Sequence, residues 1–168
     1  MILSGRQIAA SVDRREITID PFDPDLLNPN SYNYRLHPEI LLCNGNNKYS
    51  LITIPETGIL IEPHLVYLAA TLELIGSSQY VTTLLGRSSM GRLGLFLNIT
   101  ADFGHVGSLS KWTLELTAVQ PLRIYPRMQI GQVAFWETLP SVNPYAGRYL
   151  YDHLPNESKD ADACIFCV

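Results

Sequence analysis

Glycine and proline recur along the whole chain and divide it into short segments. The 168 residues include 11 glycines and 11 prolines, and the segments between them are rich in valine, isoleucine, threonine, leucine and tyrosine. Short β-prone segments bounded by turn residues are typical of an all-β domain. Because there is no internal repeat or linker, we expect residues 1–168 to form a single domain. The predicted strands are Tyr32–Leu36, Tyr49–Ile54, Gly58–Ile61, Val66–Thr71, Tyr80–Leu85, Leu95–Asn98, Trp112–Thr117, Leu122–Ile124 and Ile130–Phe135.

Two regions depart from this β pattern. Near the start, Ser4 precedes a short amphipathic stretch with Gln7 three residues further on, which predicts a capped helix over about residues 5–12. The final part, residues 140–168, combines turn-forming residues with the charged run ESKDADA. We expect it to be a C-terminal arm that is ordered by packing on another surface, such as a neighbouring subunit.

The overall charge limits the partners that the chain can have. It carries 12 basic and 16 acidic side chains, for a formal net charge of −4, which argues against binding to a nucleic acid polymer. No segment approaches the roughly 18 consecutive apolar residues of a membrane helix, and the opening MILSGRQI lacks the features of a signal peptide. With only 3 cysteines, a disulfide framework is not expected. We therefore expect a cytoplasmic protein without a membrane partner.

The sharpest local motif is GRSSMGRLG, which begins at Gly86 and lies between two apolar strands. Its two arginines and two serines offer donors to phosphate oxygens, and its glycines let a ligand approach the main chain. A net negative chain can still bind one small phosphorylated ligand at such a cluster. The motif predicts an anion site at a strand end, and a polar turn with solvated arginines is the alternative.

A carboxylate, Glu115, stands in KWTLELTAV, a segment otherwise suited to a buried strand. A carboxylate so placed can take a proton from water and return it to a leaving group. Glu115 is therefore a candidate acid–base residue, and a solvated position or a structural pairing with an arginine is the alternative.

Several motifs together resemble one enzyme family. The order GRSSMGRLGL, TLEL, Gln132 and PYAGRY is similar to that of the deoxycytidine triphosphate (dCTP) deaminases, which share a superfamily with the dUTPases. The segments MILSGRQI and SYNYRL also resemble the family, so the resemblance spans nearly the whole chain. It implies a mostly β, dUTPase-like distorted jelly roll (β-clip) with a short N-terminal helix. It also implies a homotrimer whose sites are shared between subunits.

The resemblance assigns roles by position. The positions that match catalytic residues are Ser88, Arg92 and Glu115. The positions that match substrate-binding or arm residues are Arg87, Ser89, Ala101, Phe103, Gln132, Tyr145, Arg148 and Tyr149. Among these, Arg87 and Ser89 match triphosphate-binding positions, and the backbone of Ala101 is implied to help hold the attacking water.

The implied reaction is hydrolytic deamination of dCTP to dUTP and ammonia, with no zinc or other metal on the base. Glu115 would take a proton from the water that attacks C4 of cytosine, while Ser88 and Arg92 position the water and the carboxylate. Magnesium is implied only as Mg²⁺ carried by the triphosphate of the nucleotide.

The segment ADFGHVGSLSKWTLEL departs from AGWxDxGFxGxxTLEL, the pattern of family members that also cleave dUTP. His105 replaces the aspartate that activates water for phosphate cleavage in the dUTPases, so diphosphatase activity is not implied. We interpret His105 either as a substitute base or as a loop residue satisfied by local hydrogen bonds. Ser108 replaces an aromatic residue. Asn33 replaces the aspartate of SxDxRL and removes a charge that could have paired with Arg35.

Other interpretations stay open at this point. The chain could be a dUTPase-like diphosphatase, a deaminase of another cytidine nucleotide, or a nucleotide-binding regulator without catalysis. A zinc deaminase is disfavoured, although His37-Pro38-Glu39 and the CxxC of Cys164 and Cys167 superficially match HxE and PCxxC. Ala163 stands where that signature has proline, and CxxC alone is a weak motif.

Overall fold

The computed structural model describes residues 1–43, 49–97, 101–140, 142–147, 150, 153–155 and 159. The described part forms two α-helices, α1 (Gly5–Asp13) and α2 (Ser88–Arg92), and a 3-10 turn at Pro24–Leu26. Its strands are β1 (Ile17–Asp20), β2 (Tyr32–Arg35), β3 (Glu39–Cys43), β4 (Tyr49–Thr53), β5 (Ile59–Ile61), β6 (Val66–Ala70), β7 (Leu74–Ser77), β8 (Tyr80–Gly86), β9 (Leu95–Leu97), β10 (Phe103–Gly104), β11 (Leu109–Ser110), β12 (Thr113–Ala118), β13 (Leu122–Ile124) and β14 (Gln129–Glu137).

Helix α1 begins where its capping residues predict. The backbone N–H of Gln7 donates to Oγ of Ser4 over 3.4 Å, and the backbone N–H of Ser4 donates to Oε1 of Gln7 over 3.0 Å. This reciprocal pair satisfies two amides that the first helical turn leaves free. Ile8 is completely buried on the inner face of the helix, so the helix is anchored to the sheets.

Every predicted strand segment overlaps an observed strand, although Asn98 lies outside the described residues. Sequence reasoning missed β1, β3, β7 and the two-residue strands β10 and β11. Strand β3 (EILLC) lacks the period of two, and β7 (LIGS) contains glycine and serine, which have low strand propensity. Strand β7 nevertheless forms because it pairs with β1 on one side and β11 on the other.

The strands associate in four antiparallel sheets. The orders are β4-β3-β6-β12-β9 in the five-stranded sheet and β10-β8-β14-β2 in the four-stranded sheet. A three-stranded sheet has the order β1-β7-β11, and β13 pairs with β5. Apart from the consecutive strands β3 and β4, the paired strands come from separate parts of the sequence, so the core is closed mainly by long-range pairing. The largest fully buried side chains are Tyr32, Tyr34, Phe135, Ile8, Ile17, Leu36, Ile40, Ile61, Ile75, Leu84, Leu114 and Leu116.

Strand β12 lies inside the five-stranded sheet, between β6 and β9. Its inner face is buried, while its other face, which carries Thr113, Glu115 and Thr117, is half-buried. Opposite Glu115 on β6 stands Leu68. The alternation of polar and apolar residues in the sequence therefore matches the alternation of half-buried and buried side chains along β12. It places Glu115 on the face that points away from the core.

The short strand β10 is held close to its neighbours by a glycine. A Cβ atom on Gly104 would collide with the hydroxyl of Thr82 and the ring of Trp112. The indole Nε1 of Trp112 donates to the carbonyl of Ile75 over 3.0 Å. Gly104 thus allows the indole ring to pack directly against the backbone beside the candidate site. Within the described residues, no helix is long and apolar enough to cross a membrane.

Candidate active site

One cavity of about 270 Å³ lies between the β10–β11 region and the outer face of β12. It contains the predicted acid–base residue, Glu115, together with four of the other residues predicted for the site. The residues that line it are Ala101, Phe103, Gly104, His105, Ser108, Ser110, Lys111, Trp112, Thr113, Glu115 and Tyr145. The structure therefore brings together residues 101–105, 115 and 145, which are separated by up to 44 positions in the sequence.

Lys111, Thr113 and Glu115 all line this cavity. Their spacing of two places them on the same side of one extended segment, so the signal for Lys111 was present in KWTLELTAV. Sequence reasoning had singled out only Glu115 from this face. The cavity therefore combines one carboxylate, one ammonium group and a hydroxyl along β12 and the two residues before it, a set that can hold a polar ring and exchange protons with it.

The charge of Lys111 also affects His37, which is not one of the residues that line the cavity. His37 has its pKa lowered from 6.5, first by burial and then by the charge of Lys111. The backbone N–H of Glu39 donates to Nδ1 of His37 over 3.2 Å, which requires a neutral ring with Nδ1 unprotonated. His37 is therefore a structural acceptor in this part of the fold.

His105 is the middle ring of three. Its imidazole stacks on the ring of Tyr145, with centroids 5.4 Å apart and an interplanar angle of 17°. Phe103 meets the same imidazole edge to face, at 5.3 Å and 74°. The role of His105 as a base stays untested. Its imidazole contacts two aromatic rings, and its backbone carbonyl accepts two hydrogen bonds from Ser108 in the loop.

The start of the arm packs on its own chain. The backbone N–H of Tyr145 donates to the carbonyl of Val106 over 2.8 Å, and Pro144 lies against Gly107. Pro144 and Tyr145 thus contact the β10–β11 loop of their own chain, and packing of the arm on a neighbouring subunit stays a prediction. Arg148 and Tyr149, both predicted to lie near the nucleotide, fall outside the described residues.

The arginine–serine motif, predicted as an anion site at a strand end with a polar turn as the alternative, forms a short helix. Helix α2 follows β8 directly and presents Ser88, Ser89 and Arg92 to solvent. Arg87, half-buried at the N-cap position, donates from Nη1 to the carbonyl of Gln129 over 3.2 Å. Neither these four residues nor Gln132 line the cavity that holds Glu115, as far as the chain is described. The structure therefore separates the predicted site into two groups.

Gln132 is fixed by a chain of polar side chains. Its Oε1 accepts from Oγ of Ser31 over 2.7 Å, and Ser31 accepts from Nδ2 of Asn28 over 3.1 Å. Asn33 donates from Nδ2 to Oδ1 of Asn28 over 3.4 Å. With Oε1 occupied, the amide nitrogen of Gln132 is the group left to donate to a ligand.

No group of three or more His, Cys, Asp or Glu side chains that could hold a metal ion occurs among the described residues. Cys164 and Cys167, which were considered as zinc ligands with His37, lie outside them.

Comparison with known protein families identifies the family of this chain. A family model described as dCTP deaminase-like matches residues 2–138, and the chain belongs to this family of enzymes.

Individual relatives agree with this assignment. The chain is 46% identical over 157 residues to "dCTP deaminase, dUMP-forming" of Hathewaya histolytica, covering 89% of this chain and 91% of that protein. It is also 46% identical over 144 residues to "dCTP deaminase" of Rhodopirellula baltica, covering 82% of this chain and 72% of that protein.

A solved structure shares the fold. The 2'-deoxycytidine 5'-triphosphate deaminase from Agrobacterium tumefaciens superposes with a TM-score of 0.66 at 19% sequence identity. The match covers 80% of this chain and 47% of that one, so this chain spans about half of that protein. The predicted mostly β, jelly-roll fold with a short N-terminal helix is confirmed.

Proposed function

We propose that this protein deaminates dCTP hydrolytically, with Glu115 as the acid–base residue. The observation that carries the proposal is the cavity in which Glu115 lies together with Ala101, Phe103, His105 and Tyr145. These residues come from three separate parts of the sequence. The family resemblance assigns Ala101 to the attacking water, Phe103 to substrate binding, and Tyr145 to the nucleotide or its covering arm. His105 stands at the altered position. Relatives named as dCTP deaminases that align with most of this chain support the same substrate.

In the proposed reaction, water adds through its oxygen to C4 of cytosine while Glu115 accepts one of its protons. Glu115 returns that proton to N3 of the ring. The proton of the new C4 hydroxyl passes to the amino group, the C4–N bond breaks, and ammonia leaves as the C4 carbonyl forms. The balance is dCTP plus water to dUTP plus ammonia, and no step calls for a zinc ion on the base.

Two groups of predicted residues would meet only in an oligomer. Three of the residues on α2 are exposed, Arg87 donates to β14, and none of the four lines the cavity of its own chain. The exposed residues are Ser88, Ser89 and Arg92. We propose a homotrimer in which α2 of one subunit completes the cavity of the next. Arg87 and Ser89 would then bind the triphosphate, with Gln132 near the nucleotide, and the triphosphate would bring Mg²⁺ with it as part of the substrate.

The residues on the outer face of β12 suggest a direct test of catalysis. Glu115→Gln keeps the size of the side chain and removes the proton acceptor, so ammonia release from dCTP should fall by at least about 1,000-fold, a loss within the range reported for essential acid–base groups. Retention of the full rate would refute the role of Glu115. Tight binding of dCTP by the unmodified protein without turnover would instead indicate a non-catalytic nucleotide-binding regulator.

Sharing of the site between subunits has its own test. Glu115→Gln and Arg92→Ala chains, each inactive alone, are co-expressed with different affinity tags, and mixed oligomers are purified through both. If Glu115 and Arg92 of one site come from different subunits, some sites in the mixed oligomers are intact and ammonia release returns. Mixed oligomers without activity would place both residues in one chain.

The end product is either dUTP or dUMP, and one observation favours each of them. His105 in place of the dUTPase aspartate favours dUTP as the end product. The names of relatives such as the "dUMP-forming" protein of Hathewaya histolytica favour further cleavage of dUTP to dUMP and diphosphate. Chromatography of the products from dCTP and from dUTP separates the two, and parallel incubations with CTP and CMP test other cytidine nucleotides.

A further inference from the structure

The loop between β10 and β11 and the beginning of the arm are joined by several contacts. The backbone N–H of Tyr145 donates to Val106 over 2.8 Å, and the ring of Tyr145 stacks on His105. A Cβ atom on Gly107, which has a φ of +90°, would come within 2.9 Å of Cβ of Pro144. The arm therefore packs tightly against this loop.

The loop is fixed independently of the arm. The carbonyl of His105 accepts from Oγ of Ser108 over 2.6 Å and from its backbone N–H over 3.2 Å. The backbone N–H of Gly107 donates to the carbonyl of Ser77 over 2.7 Å. These bonds hold the backbone of His105 whether or not the arm is in place, so the loop provides a fixed support on which Tyr145 packs.

The imidazole of His105 connects two walls of the cavity. Phe103 contacts one side of it and Tyr145 the other, and both rings line the cavity that contains Glu115. A carboxylate at position 105 has no ring with which to stack, so the contact with Tyr145 depends on the histidine that this chain carries.

We propose that His105 is a positioning residue that holds Tyr145, and with it the start of the arm, against the candidate active site of its own chain. The wall formed by Phe103, His105 and Tyr145 is then complete before a nucleotide enters. His105 acts through Tyr145 and does not exchange a proton with the substrate.

The proposal predicts a measurable change in the local opening of the arm. An aromatic pair contributes enough free energy to change a local equilibrium by about 2- to 10-fold. In His105→Ala, hydrogen exchange at the amide of Tyr145 should therefore be about 2- to 10-fold faster, because this amide donates to Val106 only while the arm is docked. In His105→Phe, which keeps a ring, exchange should stay near the original rate. Amides within strand β14 serve as an internal reference for global stability.

The matched control is His64→Asn. His64 is exposed in a turn with a φ of +66°, which asparagine tolerates, so exchange at Tyr145 should not change. Unchanged exchange at Tyr145 in His105→Ala overturns the proposal. Equal acceleration in His105→Ala and His105→Phe also overturns it, because the ring would then not be the group that holds the arm.

A kinetic test rests on the proposed function and is separate from the exchange test. If the wall orders the base, His105→Ala should raise KM for dCTP by about 2- to 10-fold with little change in kcat, and His105→Phe should restore KM. A fall in kcat with an unchanged KM would overturn the positioning role and favour a proton-transfer role. Absence of ammonia release by the unmodified protein would contradict the proposed function alone, since the exchange measurement needs no turnover.

Discussion

Arg35 and Glu73 form a buried ion pair across 38 positions of the sequence. The Nε of Arg35 donates to Oε1 of Glu73 over 2.6 Å, and its backbone N–H donates to Oε2 over 2.9 Å. The side chain of Glu73 is completely buried, whereas the side chain of Arg35 is 23% exposed. Although Asn33 replaces the aspartate considered as a partner for Arg35, the charge of Arg35 is therefore balanced by Glu73.

This pair predicts a large effect of a small substitution. Glu73→Gln keeps the shape of the side chain but leaves the partly buried guanidinium without a counter-charge, so the free energy of unfolding should fall by about 2 kcal/mol. Urea denaturation followed by circular dichroism measures it. The control is Glu56→Gln, which removes the 77% exposed partner of Arg127 and should cost less than about 1 kcal/mol. Equal losses in the free energy of unfolding would contradict the expectation that the buried ion pair contributes more to stability than the exposed one.

His37 predicts a dependence of stability on pH. Because its pKa in the folded state is lowered from 6.5 by burial and then by Lys111, the unfolded chain takes up a proton at a higher pH than the folded chain. The contribution of His37 to stability should therefore be fully present well above pH 6.5 and should decrease as the pH falls through 6.5 into the acidic range.

The test compares the free energy of unfolding of the unmodified protein with that of His37→Asn over a pH series that runs from above to below 6.5. The amide oxygen of asparagine can accept the N–H of Glu39 as Nδ1 does, but it does not titrate. The unmodified protein should lose more stability than the variant on acidification, and His64→Asn should follow the unmodified protein. Parallel curves for His37→Asn and the unmodified protein would rule out this role.

Gly104 predicts a steric effect beside the cavity. Gly104→Ala places a methyl group against the hydroxyl of Thr82 and the ring of Trp112, so stability should fall by about 2 kcal/mol. Gly91→Ala is the matched control, since a Cβ there meets nothing within 4 Å and the residue lies in α2. That variant should be neutral or stabilising by up to about 1 kcal/mol. Thermal unfolding of both variants checks the contrast.

The hydrogen bond from Ser31 to Gln132 predicts that Ser31 influences KM for dCTP through Gln132. Removing its hydroxyl in Ser31→Ala frees Oε1 of Gln132 and lets the amide rotate, so KM for dCTP should rise about 3- to 10-fold, the equivalent of one hydrogen bond. This expectation rests on the proposed role of Gln132 in nucleotide binding. Steady-state kinetics of Ser31→Ala, Gln132→Ala and the double variant provide the check. The double variant should match Gln132→Ala, and fully additive effects would show that Ser31 acts elsewhere.

The features that the sequence determined are local ones. Ser4 and Gln7 specify the start of α1 because capping involves residues three positions apart. Alternation in TLELTA specifies β12 and the outward position of Glu115 because successive side chains of a strand point to opposite faces. The motifs also identified the family, since their order along the chain can be read without a structure.

The tertiary structure decided what depends on distant residues. Strand β7, with its unfavourable composition, exists because β1 and β11 pair with it, and Arg35 finds its counter-charge 38 residues away. The stacking of His105 on Tyr145 likewise follows from where the arm returns to the β10–β11 loop. No local pattern encodes these contacts, because sheet pairing and side-chain stacking are stabilised by groups that meet only after the chain has folded.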